Sequence, residues 1–162
     1  MHIIFAQQPL EKSIFLAGPT PRDAATKSWR PQALEILRGL DFDGKVFVPE
    51  TVGGGLPPNT YDPQVQWEWQ ALNQATVVVF WVPRDVATLP GFTTNTEFGL
   101  LAASSKLLLG FPGDAQKMRY LDRLAQRYHI PVHADLAELL EAAVEKTKNP
   151  YPFNGAGAEL AF

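Results

Sequence analysis

The chain contains no cysteine, which removes disulfide bridges, thiolate metal sites and cysteine nucleophiles together. Charge of either sign is sparse: 14 Lys and Arg against 17 Asp and Glu leave a net charge of −3. That balance disfavours nucleic-acid binding through a basic surface. Long apolar runs are missing as well. The longest, Val77 to Val82, is far below the ~20 residues that a membrane-spanning helix needs, so no membrane partner is expected. Met1 to Gln8 carries neither a basic leader nor a full apolar segment, so no signal peptide is expected and a cytoplasmic location is the simplest reading. Several motifs are absent too: no Gly-x-Gly-x-x-Gly after a strand, no Gly-x-x-x-x-Gly-Lys-Ser/Thr loop, no His-Glu-x-x-His and no Gly-x-Ser-x-Gly. Dehydrogenase, NTPase, zinc-protease and serine-hydrolase readings lose their usual support.

What is present is a globular composition, 46% hydrophobic and 19% charged over 162 residues. It implies one domain over 1–162, with 148–162 as a C-terminal tail. Its aromatic content, Tyr151, Phe153 and Phe162, suggests that the tail packs on a pocket or a neighbouring subunit, the alternative being a frayed end. Ser13 to Ala17 is β-rich and ends at Gly18-Pro19-Thr20-Pro21, where neither strand nor helix continues. Ser28 can cap a helix to Leu40, with Pro31 in its first turn. Val46 to Val48 reads as a second strand. Glu50 to Thr60, with Gly53-Gly54-Gly55 and Pro57-Pro58, reads as a long flexible loop rather than a phosphate cradle. Asp62-Pro63 opens a helix whose stripe holds Val65, Glu68, Trp69 and Leu72. Thr76 to Val82 has the pattern of a central strand buried on both faces. A loop from Pro83 to Phe92 leads into a helix from Thr93 to Ala103. Lys106 to Leu109 is a short strand, Gln116 to Tyr128 a helix, Ile130 to Val132 a weak strand, and Asp135 caps a last helix to about Lys146.

Alternating strands and helices imply right-handed crossovers and a parallel sheet covered on both faces. The expected fold is a three-layer α/β sandwich with five parallel strands in the order 2-1-3-4-5. Ligands in such sheets sit beyond the carboxyl ends of the strands, where the order reverses. This groups the Gly18 to Arg22 loop, the Pro83 to Phe92 loop and Thr94 to Glu97 around one pocket. No metal site is expected: His129 and His133 have helical spacing, but Pro131 lies between them.

Two carboxylates stand out. Glu97 falls near a helix start, where the macrodipole would keep it ionised as a nucleophile or base. Alternatively Thr94-x-x-Glu97 is a capping box in which the glutamate reaches back to the main chain. Glu68 lies on an apolar stripe, where burial would raise its pKa, or at the stripe's edge, where it would meet a surface base. An acid beside an ionised carboxylate is the division of labour of retaining glycosidases. Trp67, Trp69, Phe80, Trp81 and Phe92 read first as core and second as a stacking platform for a flat base. Arg22 is a candidate bidentate donor to a phosphate or carboxylate, or a solvated loop residue. Asp85 is a pocket acid or a loop residue.

The series Phe15-Leu16-Ala17-Gly18-Pro19-Thr20-Pro21-Arg22, Gln66-Trp67-Glu68, Val79-Phe80-Trp81-Val82-Pro83 and Gly91-Phe92-Thr93-Thr94-Asn95-Thr96-Glu97-Phe98-Gly99 resembles the nucleoside 2-deoxyribosyltransferase family. The resemblance covers about residues 13 to 112 and is most specific at the Glu97-x-Gly99 helix after an aromatic strand. It implies a flavodoxin-like fold and a homo-oligomer whose sites a neighbouring subunit completes. It further implies a nucleoside or nucleotide and a free nucleobase as partners, no cofactor, and a glutamate that attacks the anomeric carbon. That nucleophile falls on Glu97, with Glu68 as the nearby acid. Phe15, Gly18, Pro19, Thr20, Arg22, Trp81, Thr94 and Asn95 are the candidate substrate contacts. Phe15 stands where the characterised transferases use a tyrosine, and Gly91-Phe92-Thr93 lacks the aspartate they carry before the nucleophile.

Overall fold

In the computed structural model, residues 11–23, 25–51 and 61–149 are described; the triple-glycine loop and the C-terminal tail lie outside them. Five strands form one sheet in the order β2-β1-β3-β4-β5. They are β1 (Ser13–Ala17), β2 (Lys45–Phe47), β3 (Val77–Trp81), β4 (Leu107–Gly110) and β5 (Val132–His133), and every neighbouring pair is parallel. With its intervening helices this is a flavodoxin-like arrangement, in the strand order expected from the sequence.

The central strands β1 and β3 are buried along their whole length, as continuous apolar runs require of a sheet covered on both sides. Alternation divides their side chains. Ile14, Leu16, Val77, Val79 and Trp81 pack with Ala33 and Leu37 of α1 (Arg30–Gly39) and with Leu139, Leu140 and Ala143 of α5 (Leu136–Lys148). Phe15, Ala17, Val78, Phe80 and Val82 pack on the other side. Their partners are Ala71 and Leu72 of α2 (Tyr61–Gln74), Phe98 of α3 (Phe92–Leu101) and Leu121 and Ala125 of α4 (Arg119–Arg127). No helix among the described residues is long and apolar enough to cross a membrane.

Several boundaries depart from the sequence reading for identifiable reasons. The last strand is Val132–His133 rather than Ile130 to Val132, because His133 pairs with Gly110 of β4. Helix α4 starts at Arg119, not Gln116, since Lys117 adopts a left-handed φ of 56°. The Gln116 amide is instead drawn to the Arg84 carbonyl at 2.9 Å. Ser28 stands one place before the N-cap Trp29 of α1, and its hydroxyl accepts from the Arg30 amide at 3.2 Å. Asp135 caps α5 as expected, accepting from the amides of Ala137 and Glu138. Lys106 closes the other end of α2, donating to the Leu72 carbonyl at 2.6 Å.

Candidate active site

The chain leaves β1 through a glycine that the packing demands. Gly18 has a φ of 149°, and a side chain there would drive its Cβ to 2.1 Å from the Trp81 carbonyl oxygen of β3. The backbones at the carboxyl ends of β1 and β3 therefore run close together, where the strand order reverses. Arg30, the first residue of α1, reaches into this turn. Its guanidinium donates to the carbonyls of Leu16 (3.1 Å), Gly18 (2.8 Å) and Pro19 (3.4 Å), to the Thr20 hydroxyl (3.2 Å), and to Glu50.

Helix α3 enters from the opposite side. Gly91 is its N-cap in a left-handed conformation, φ 61°, and no side chain caps the helix. Thr94 is thus the third helical residue and is buried, so the Thr94-to-Glu97 capping box does not form. Helix α3 is anchored by Phe98, whose fully buried ring meets Phe80 edge-on at 5.1 Å. Arg84 ties its first turn to the next segment, donating to the Asn95 side-chain oxygen and to the Lys117 carbonyl.

Glu97 is half-buried between these anchors. Burial, reinforced by the nearby Glu68 carboxylate and opposed by Arg30, pushes its pKa up to about 7. This corrects the expectation that the helix dipole holds Glu97 ionised. Glu97 lies in the second turn, beyond the reach of the free amides, and desolvation and a like charge prevail. Glu68, on the inward side of α2, is also pushed up by burial, an effect partly offset by the Gln64 amide that donates to it at 2.7 Å and by Arg30. The two carboxyls suggested by the sequence thus stand on separate helices, near enough for the Glu68 charge to act on Glu97, and both act together with Glu50 on the Arg30 guanidinium.

Other candidates fall at varying distance from this centre. Phe15 is buried in β1, its ring 6.3 Å from that of Trp67. Gly18, Pro19 and Thr20 form the turn bound by Arg30. Arg22 is exposed and lies over the Phe92 ring, 5.3 Å from its centroid. Trp81 packs into the α1/α5 core, on the sheet face opposite α2 and α3, and so is not brought to the carboxyl pair. The Asn95 side-chain oxygen is occupied by Arg84. Asp85 behaves as a loop residue, accepting from the amides of Ala87 and Thr88 and from the Gln116 side chain. Trp69 leaves the expected stripe and is 59% exposed, and Phe92 is 70% exposed; Ala71 takes the inward position beside Leu72. Among the described residues no group of three His, Asp or Glu side chains is placed to hold a metal ion.

Sequence reasoning passed over Arg30, Glu50 and Arg84. Arg30 did leave a signal: an arginine in the first turn of a helix opposes the macrodipole, and such a residue needs acceptors outside the helix.

No curated protein matches this chain. Residues 11–115, more than half of its length, match the family described as nucleoside 2-deoxyribosyltransferase like. That span runs from the start of β1 past β4 and takes in Gly18, Arg30, Glu68 and Glu97. Because that match covers more than half of the chain, the protein belongs to the nucleoside 2-deoxyribosyltransferase-like family.

Proposed function

We propose that this protein is a nucleoside 2-deoxyribosyltransferase that exchanges the nucleobase of a 2′-deoxynucleoside through a glycosyl ester on Glu97. The observation that carries the reading is the convergence of Glu97 and Glu68 from α3 and α2, each with a raised pKa. The Glu68 charge acts on Glu97, and two carboxyls coupled in this way titrate together. With one proton between them, it rests mainly on Glu97, the carboxyl pushed up to about 7; the reactive form is the minor one, with Glu97 ionised and Glu68 protonated.

A Glu97 oxygen attacks C1′ as the N-glycosidic bond breaks. The bond's electron pair leaves with the base nitrogen, which takes the Glu68 proton directly or through a water. A second base then attacks C1′ from the vacated side, returns a proton to Glu68 and displaces the Glu97 carboxylate. Two inversions give net retention. Positive charge developing on the sugar is stabilised by the carboxylate in a partly desolvated site. Gly18, Pro19, Thr20 and Thr94 flank the sugar, and Phe15 supplies an apolar floor. The exposed Phe92 and Leu100 on α3 support a homo-oligomer in which a neighbour covers the site.

The second reading, hydrolysis of a nucleotide N-glycoside, has its own observation. Arg22 is exposed and forms no ion pair with a carboxylate among the described residues, which leaves it able to take a 5′-phosphate. Incubation with a deoxynucleoside, with and without a second free base, separates the two. Transfer predicts a new nucleoside only when acceptor is present, and none from E97Q. Free sugar or sugar phosphate formed regardless of acceptor favours hydrolysis. Ligand binding without turnover, unchanged in E97Q, would make the protein a nucleotide-binding module.

A further inference from the structure

The proposed reaction gives no direct part to two deeply buried charged side chains among the described residues. Arg30 and Glu50 form an ion pair with side chains 1% and 3% exposed. Burying an ion pair is costly unless its remaining hydrogen-bonding groups are satisfied, and it often stabilises no better than an apolar pair would. Here the satisfaction is extensive. Arg30 spends its other donors on Leu16, Gly18, Pro19 and Thr20, and Glu50 also accepts from the Ser28 hydroxyl at 2.9 Å. All of these acceptors of Arg30 belong to the end of β1 and the turn that follows it.

The surrounding charges define what this pair acts on. Glu97 is the one ionisable residue of α3. From α2 it is faced by Glu68, and from α1 by Arg30. Arg84, after β3, is engaged with Asn95 and Lys117; Arg22 lies over Phe92. On α4, Arg119 and Arg123 are exposed, and Asp122 accepts from Gln126. Of these, Glu68 and Arg30 act on Glu97. The positive charge that reaches the carboxyl pair therefore comes from a guanidinium whose nearest anion is Glu50.

We propose that Arg30 and Glu50 form a buried positioning pair for the site: Arg30 holds the Gly18–Thr20 turn in shape, and Glu50 sets how much of the guanidinium's field is left to act on Glu68 and Glu97. The consequence for turnover rests on the transferase reading. The electrostatic coupling itself belongs to the resting protein and is measurable without substrate.

The test is a pH titration of the side-chain carboxyls by carbon-13 NMR in the full chain, with Glu97 assigned by its loss in E97Q. In E50Q the glutamine still accepts from Arg30 and Ser28, but the negative charge is gone. The upper titration step of the Glu68/Glu97 pair should then move to lower pH while the melting temperature and amide spectrum stay close to wild type. In R30M the same step should move to higher pH. A merely structural staple predicts otherwise, because loosening admits water and moves the step downward in both variants. Opposite shifts support the proposal; shifts in one direction, or an unmoved step in E50Q, overturn it. Should R30M fail to fold, E50Q decides alone: a downward step in a native-like spectrum supports the pair, and an unmoved or raised step sinks it. If E97Q is fully active while E50Q still shifts the step, the transferase reading fails and this inference stands.

Discussion

The two faces of the sheet are built from the same strands and differ sharply. On the α1/α5 face, Trp81, Leu139, Leu140 and Ala143 close a continuous apolar layer, and α5 is capped by Asp135. On the α2/α3 face, Phe80 and Phe98 make an equally apolar base. Above it, however, stand two carboxyls with raised pKa values, an uncapped helix that starts on a left-handed glycine, and the exposed apolar side chains of Trp69, Phe92 and Leu100. The first face breaks the local rules of helix and core at one point, the start of α1 with no side-chain cap on Trp29 and a buried Arg30; the other departs from them repeatedly at one end. Departures concentrated in one place are what a functional site leaves in an otherwise consistent fold. Arg30 joins the two regions, since it starts a helix of the quiet face and spends its side chain on the turn beside the carboxyls.

The sharpest way to break this contrast is to neutralise Glu97. E97Q should lower base exchange on the order of 10³-fold or more, measured as product formed per active subunit, while far-UV circular dichroism is unchanged. E68Q should cost roughly 10²–10⁴-fold and also change the shape of the pH profile. In wild type, activity should fall as pH rises past about 7, where the pair loses its last proton. E68Q should lose that alkaline limb and instead gain activity as Glu97 ionises. A pH profile with the same alkaline limb in both proteins would remove Glu68 from the proton transfer.

Substitutions on the quiet face should act the other way, on stability and not on turnover. L139A should cost ~2–5 kcal/mol by denaturant melting, with kcat unchanged in the folded fraction. Linkage gives a smaller effect of defined sign. Since the folded-state pKa of Glu97 is raised, its contribution to stability is fully present below the unfolded value of 4.5 and is lost as pH rises through about 7. E97Q should therefore gain on wild type between those pH values, by about 1–3 kcal/mol at pH 8. D135A should be the mildest, losing ~0.5–2 kcal/mol with no change in exchange rate.

Much of the fold was legible because apolar runs declare themselves. Ser13–Ala17 and the Val77–Trp81 core of the third strand could be read from β-branched and aromatic content, and a parallel sheet followed from alternation and crossover handedness, rules that do not by themselves determine the order 2-1-3-4-5. Glu68 stood out as a carboxylate on an apolar stripe, whereas the spacing around Glu97 read equally as a capping box, and its proposed role came from the family resemblance. The ends of elements were harder. Left-handed backbone at Lys117 and Gly91 relocated two helix starts, and φ signs are set by tertiary context as much as by residue type. The protonation balance was misjudged for a related reason: the helix dipole is a local property, whereas the desolvation of Glu97 depends on how α2 and α3 pack. Arg30 and Glu50 are 20 residues apart, and nothing in their spacing announces that they meet.

The most direct measurement is rapid acid quench of the protein turning over a 2′-deoxynucleoside, followed by mass spectrometry of its peptides. A mass increment of one deoxyribosyl group on the peptide carrying Glu97, absent in E97Q and discharged by added free base, is the predicted result. Steady turnover with no adduct at Glu97, or with an E97Q protein that still exchanges bases at the wild-type rate, would contradict the account.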